Sequence, residues 1–136
     1  MKVGVVIVTH YRLGEEFLQA LRLIVPEGPT FHAVSIDPKQ SVDEMRASIA
    51  RAIGAADAGE GVLVLTDMFG GTPSNISLSF LKDHRVEVVT GVNLPMLIKL
   101  ATLVEERPLE DLAPFIKNYG QRNISVASEI LPEPAR

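Results

Sequence analysis

The sequence reads as an open α/β fold: a mainly parallel sheet of about four strands with helices on both faces, plus one antiparallel edge strand near the C-terminus. Three observations predict it. Apolar runs of strand length alternate with segments of helical period, which is the pattern of βαβ units. Two of those runs, Val3 to Thr9 and Val62 to Thr66, are almost wholly apolar. The last run, residues 123–130, alternates polar and apolar with period two, as a half-buried strand does, and no long crossover helix leads into it.

The elements follow in order. Residues 3–9 form the first strand. Gly14 to Val25 carries Phe17, Leu18, Leu21 and Ile24 or Val25 at helical spacing and ends at Pro26-Glu27-Gly28-Pro29. Phe31 to Ile36 is a second strand. Ser41-Val42-Asp43-Glu44 has the form of a capping box opening a helix to about Ala56. Val62 to Thr66 is the third strand, after which Thr72 caps a helix from Pro73 to Leu81. Val86 to Thr90 is short and β-branched, a fourth strand. Asn93 caps a helix from Leu94 to Val104. A further helix, Leu109 to Tyr119, holds Pro114 in its first two turns, and Gly120 is expected to stop it. Residues 1–130 are expected to form one domain and 131–136 a short extended or disordered tail, with no internal repeat.

At 136 residues and 46% hydrophobic content the chain can bury a core between a sheet and its helices. A net charge of -4, with no basic cluster longer than an isolated pair, argues against a nucleic-acid surface or an anionic membrane. Protein or small anionic partners are expected instead. With no cysteine there is neither a disulfide framework nor a thiolate metal site, which is compatible with a reducing cytosol. The apolar start before His10 is too short to cross a bilayer.

His10 stands where the first strand runs out and Asp67 where the third does, and open α/β sheets keep their sites just beyond the carboxyl ends of strands. Three common sites of such folds fail. Thr9-His10-Tyr11-Arg12-Leu13-Gly14 is no G-x-G-x-x-G dinucleotide loop, and Gly70-Gly71-Thr72-Pro73 lacks the lysine of a P-loop. A receiver domain with Asp67 as phosphoryl acceptor needs an acidic pair after the first strand to hold magnesium, where this chain has Thr9-His10. What remains is an imidazole, a carboxylate and a Gly-Gly turn leading into a capped helix. A carboxylate bonded to one imidazole nitrogen fixes the tautomer and leaves the other free to attack an electrophile. Asp67 then orients and His10 attacks. For a phosphoryl group, amides at the helix start near Thr72 to Asn75 offset developing charge, and glycine at 70 and 71 lets backbone come close.

Thr9-His10, Asp67-Met68-Phe69-Gly70-Gly71-Thr72-Pro73-Ser74-Asn75 and Gly91-Val92-Asn93-Leu94-Pro95-Met96 together resemble the enzyme IIA domain of the mannose family of the bacterial phosphoenolpyruvate-dependent sugar phosphotransferase system. The likeness covers residues 1 to about 130. It implies a cytoplasmic protein whose His10 accepts a phosphoryl group on Nε2 from the histidine-containing phosphocarrier protein and passes it to a IIB partner. Sugar uptake follows through membrane IIC and IID components, which set the sugar. The resemblance also implies no metal or organic cofactor, and a homodimer that exchanges the C-terminal antiparallel strand, for which residues 123–130 fit. Thr9, Gly70, Gly71, Thr72, Ser74, Asn75 and Asn93 are the candidates for supporting the phosphoryl group or walling the site. Tyr11, Arg12, Met68, Phe69 and Pro95 are the candidates for docking a partner. Many relatives have glycine directly after the histidine, where this chain has Tyr11-Arg12, a departure that bears on the partner. A stand-alone subunit without a fused IIB domain is expected.

The same residue types have plainer uses. Gly70 and Gly71 can serve only a tight turn, Thr72 and Asn93 only cap helices, and Met68 and Phe69 only fill core. His32 reads as a partly exposed strand residue, and His84 as part of the solvated connection Lys82-Asp83-His84-Arg85. Three other functions compete with transport: the phosphotransfer subunit of dihydroxyacetone kinase, a regulatory phospho-acceptor module, and a small-molecule binding protein. Gly-Gly-Thr-Pro-Ser-Asn and Gly-Val-Asn-Leu-Pro favour the mannose family over the first.

Overall fold

The computed structural model describes residues 2–82 and 85–132, so that His84 and the last four residues of the expected tail lie outside the described residues. Four strands, β1 (Gly4–His10), β2 (His32–Ile36), β3 (Val62–Thr66) and β4 (Val86–Thr90), form one parallel sheet in the order β2-β1-β3-β4. Between and after them run α1 (Leu13–Ile24), α2 (Val42–Ala56), α3 (Thr72–Leu78), α4 (Leu94–Thr102), α5 (Leu109–Arg122) and the single turn α6 (Ala127–Ile130).

The strands are apolar on both faces because both faces are covered, as parallel sheets require. Val5, Ile7, Leu63, Leu65 and Val89 point into one core, against Leu18 and Leu21 of α1, Met96, Leu97 and Leu100 of α4, and Leu112 and Ile116 of α5. Val6, Val8, Val62, Val64 and Val86 point the other way, against Met45 and Ile49 of α2 and Ile76 of α3. From β1 the chain steps outward to β2, then returns to place β3 on the opposite side of β1. The order therefore reverses between β1 and β3, and the crevice beyond their carboxyl ends is where such sheets place ligands.

The caps carry much of the local definition. At α2 the Ser41 hydroxyl accepts from the Glu44 N–H at 3.1 Å while the Ser41 N–H donates to the Glu44 carboxylate at 2.9 Å. At α4 the Asn93 side-chain oxygen accepts from the Met96 N–H at 3.1 Å. Gly71 rather than Thr72 is the N-cap of α3, which ends at Leu78 and tightens into a 3-10 turn over Ser79–Lys82. α4 stops at Thr102, where Leu103 turns to extended backbone.

One expectation is corrected, and a second is not met within a single chain. Gly120 does not end α5, which runs on to Arg122. Its missing side chain serves packing instead: a Cβ there would lie 2.6 Å from Met96 Cγ and 2.7 Å from Met96 Sδ. The antiparallel strand over 123–130 is not formed within the chain. Residues 124–126 take no regular structure and Ala127–Ile130 closes one helical turn, with the Leu131 N–H donating to the Ala127 carbonyl at 3.1 Å. A period-two segment becomes a strand only against a sheet edge, and the chain folds back none to it; Ile124, Val126 and Ile130 are left exposed. None of the helices among the described residues is long and apolar enough to cross a membrane.

Candidate functional site

β1 and β3 pair in register, Val8 opposite Thr66, so that His10, the last residue of β1, and Asp67, the first after β3, emerge side by side. One carboxylate oxygen of Asp67, Oδ2, accepts two hydrogen bonds from His10: from the backbone N–H at 3.1 Å and from ring Nδ1 at 2.8 Å. Because an ionised carboxylate only accepts, the proton between them belongs to Nδ1, and Nε2 carries the free lone pair. The other oxygen, Oδ1, is buried without a partner among the described residues, so both bonds from His10 fall on Oδ2. The two side chains differ in exposure, 46% for His10 and 11% for Asp67. The carboxylate is largely shielded and the imidazole is open to solvent.

Gly71 completes the seat. An ideal Cβ on it would stand 2.6 Å from His10 Cε1 and 3.0 Å from Nε2. Real Cβ atoms do not approach that closely, so the imidazole occupies the volume that a side chain at 71 would take. Its backbone, at φ -90°, is open to any residue, and the requirement is therefore one of space.

Of the other predicted residues, Thr9 is fully buried and structural in its bonds: its Oγ1 accepts from the Gly14 N–H at 2.8 Å and donates to the Tyr11 carbonyl at 3.3 Å. Tyr11, Arg12, Met68 and Phe69 are all exposed on the two loops that flank the imidazole. Gly70 is exposed on the turn into α3, and Thr72 and Asn75 are exposed in its first turn, where the Asn75 N–H donates to the Gly71 carbonyl at 2.9 Å. Ser74 is fully buried and its hydroxyl has no partner among the described residues. Asn93 is committed elsewhere: besides capping α4, its Nδ2 donates to the Gly120 carbonyl at 3.1 Å. Pro95 is half-buried in the first turn of that helix. His32 lies half-buried on β2, opposite Val6 and four residues short of the strand end that borders the site. The sequence reading missed Ile36, whose carbonyl accepts from the Tyr11 N–H at 2.9 Å and so fixes the loop after His10. No local signal marks it, since the bond depends on β2 lying beside β1.

The class that these features define is a doubly wound parallel sheet with a carboxylate-anchored imidazole at its switch point, one ring nitrogen unbonded. A family model described as the PTS system fructose IIA component matches residues 4–117, and the chain belongs to that family. The sorbose-specific EIIA component of the phosphotransferase system of Lacticaseibacillus casei is 28% identical over 133 residues, 97% of this chain and 96% of that one. The fructose-specific EIIA component of Bacillus subtilis (strain 168) is 44% identical over 71 residues, which span 52% of this chain and only 49% of that relative. Among solved structures, the mannose/sorbose specific IIA subunit from Enterococcus faecalis superposes with a TM-score of 0.87 at 30% identity, covering 99% of this chain and 100% of that one.

Proposed function

We propose that residues 1–130 form a IIA domain of a sugar phosphotransferase system, in which His10 is the phosphoryl acceptor and Asp67 its orienting carboxylate. The observation that carries this is the 2.8 Å contact between Nδ1 and Asp67 Oδ2, which leaves Nε2 unbonded on an exposed ring. The Nε2 lone pair forms a new N–P bond as the donor's N–P bond breaks, and that bond's electron pair returns to the donor's imidazole. The ring of His10 gains positive charge in the process while its Nδ1 proton stays against Asp67, whose carboxylate offsets that charge. The donor is the histidine-containing phosphocarrier protein and the acceptor a IIB component, with membrane IIC and IID components acting further on. In this reading the phosphoryl group's charge is offset by the Thr72 hydroxyl and by the amides at the start of α3, which have no helical carbonyl one turn back. No metal or organic cofactor enters the scheme.

The working form in this reading is a cytoplasmic homodimer in which each subunit lends residues 123–130 to the other's sheet. The exposed, alternating Ile124, Val126 and Ile130 and the open edge of β4 support it. The test of function is incubation with phosphoenolpyruvate, enzyme I and the phosphocarrier, read by intact mass beside a His10→Ala control. One added phosphoryl mass, absent from the control and lost on addition of a IIB component, is expected. Retention of the group in the presence of IIB components supports a regulatory phospho-acceptor instead, and no added mass overturns the reading.

A further inference from the structure

Tyr11, the residue after His10, is the one non-glycine residue with positive φ among the described residues, at 46°. That backbone crowds any Cβ and is seldom adopted by a bulky residue. It is held from both ends: the Tyr11 N–H donates to the Ile36 carbonyl at 2.9 Å, and its carbonyl accepts from Thr9 Oγ1 at 3.3 Å. Thr9 Oγ1 is itself fixed by the Gly14 N–H at 2.8 Å. Both bonds to residue 11 are to its main chain, and none of the three needs a side chain there. Strain that the surroundings impose at a site points to a function for the residue bearing it.

The tyrosine side chain lies mostly outside the fold. Its hydroxyl makes no hydrogen bond among the described residues and the residue is 62% exposed, next to the nucleophile. On the neighbouring loop Phe69 is 72% exposed. Arg12 adds a cation at the same rim, loosely engaged with Glu15 at 3.9 Å and otherwise solvated. The rim therefore offers apolar rings to a surface and a positive charge to a phosphoryl dianion. Those two features together suit a protein that presents a phosphorylated histidine, whose face covers the rings and keeps water from the N–P bond as it is exchanged. A small phosphoryl donor has no surface with which to cover them.

Resting on the phosphoryl transfer proposed above, we infer that Tyr11 is a specificity-determining residue of that reaction, its ring a contact for the protein phosphoryl donor. The test compares Tyr11→Gly, Tyr11→Asn and Tyr11→Phe with the parent, titrating the phosphorylated carrier and measuring KM and kcat for its transfer to His10. Glycine and asparagine both accept the left-handed backbone, so both variants keep the loop; thermal melting checks that they fold. Loss of an interface aromatic is expected to raise KM for the carrier about tenfold in both, with the loss in KM rather than in kcat, and phenylalanine restores it. Glycine and asparagine variants with the parent's KM overturn the inference, as does a fall confined to kcat, which would mean that residue 11 acts through the placement of His10. A raised KM for a IIB acceptor with an unaltered KM for the carrier also overturns it, assigning the ring to the other partner. A parent protein that takes no phosphoryl group from the carrier fails at the earlier step and removes the functional reading itself.

Discussion

Replacing Gly71 by alanine should cost activity far more than stability. The new Cβ falls 2.6 Å from His10 Cε1, where carbon atoms at rest stand about 3.5–4.0 Å apart. The imidazole must withdraw by about 1 Å, and a displacement of that size between reacting groups costs about a hundredfold in rate. The ring is half-exposed and has solvent to swing into, so the fold loses little more than the Nδ1 bond to Asp67, about 1 kcal/mol. Loss of glycine at the N-cap of α3 adds a few tenths to that, about 0.5 kcal/mol. Melting should then fall by only about 3–6 °C. Quench-flow phosphorylation by the carrier, with calorimetry on the same samples, separates the two effects. A Gly71→Ala variant phosphorylated at the parent rate would refute the seating of the imidazole on this glycine.

Three further perturbations test other parts of the account. Asp67→Asn can keep both bonds from His10 on its amide oxygen but loses the charge that offsets the positive ring formed on transfer; since charged hydrogen bonds exceed neutral ones by about 1–1.5 kcal/mol, phosphorylation should slow about tenfold and melting should fall by about 2–6 °C, and an unchanged rate denies Asp67 its electrostatic role. Glu44 is held below its ordinary value of 4.5, first by the Ser41 backbone N–H and then by the Ser41 side chain. Its folded value being depressed, its contribution is fully present above pH 4.5 and drains away as pH falls through the lowered value. Denaturation of the parent and of Glu44→Gln should therefore converge as pH drops below that point, and a gap that stays constant down to full protonation of the carboxyl contradicts the capping-box linkage. Gly120→Ala gains about 0.8–1.0 kcal/mol of helix propensity but pushes on Met96, and overpacking costs about 1–3 kcal/mol, so urea unfolding should show a net loss of about 1 kcal/mol. A stabilised variant would mean that Met96 yields freely.

What the sequence discloses depends on how far apart the interacting residues are. The Ser41 and Glu44 capping box is read at once because its partners stand three residues apart. The pairing of His10 with Asp67, 57 residues apart, is reachable only through a topological rule, that strand ends share an edge and that sites gather there. Gly120 misleads for the converse reason. Glycine after a helical stretch is a stop signal locally, yet here α4 presses Met96 against it, and that neighbour lies 24 positions back. The same holds for residues 123–130, whose alternation is a true signal of two unlike faces but names no edge to pair with. Asn93 joins the two scales: its cap is local and legible, while its second bond, to Gly120, ties α4 to α5 and takes its side chain out of the site. Gly71 shows the limit most clearly, since a glycine in a Gly-Gly turn says nothing of which ring will lie over it.

The central claim is that Asp67 holds the proton on Nδ1 and leaves Nε2 to react, and nitrogen-15 NMR of histidine-labelled protein phosphorylated through the carrier tests it directly. Coupling of phosphorus to Nε2 of His10, with a protonated Nδ1 still bonded to Asp67, is the predicted result. Coupling to Nδ1 would require the 2.8 Å contact to break before reaction and would contradict the account.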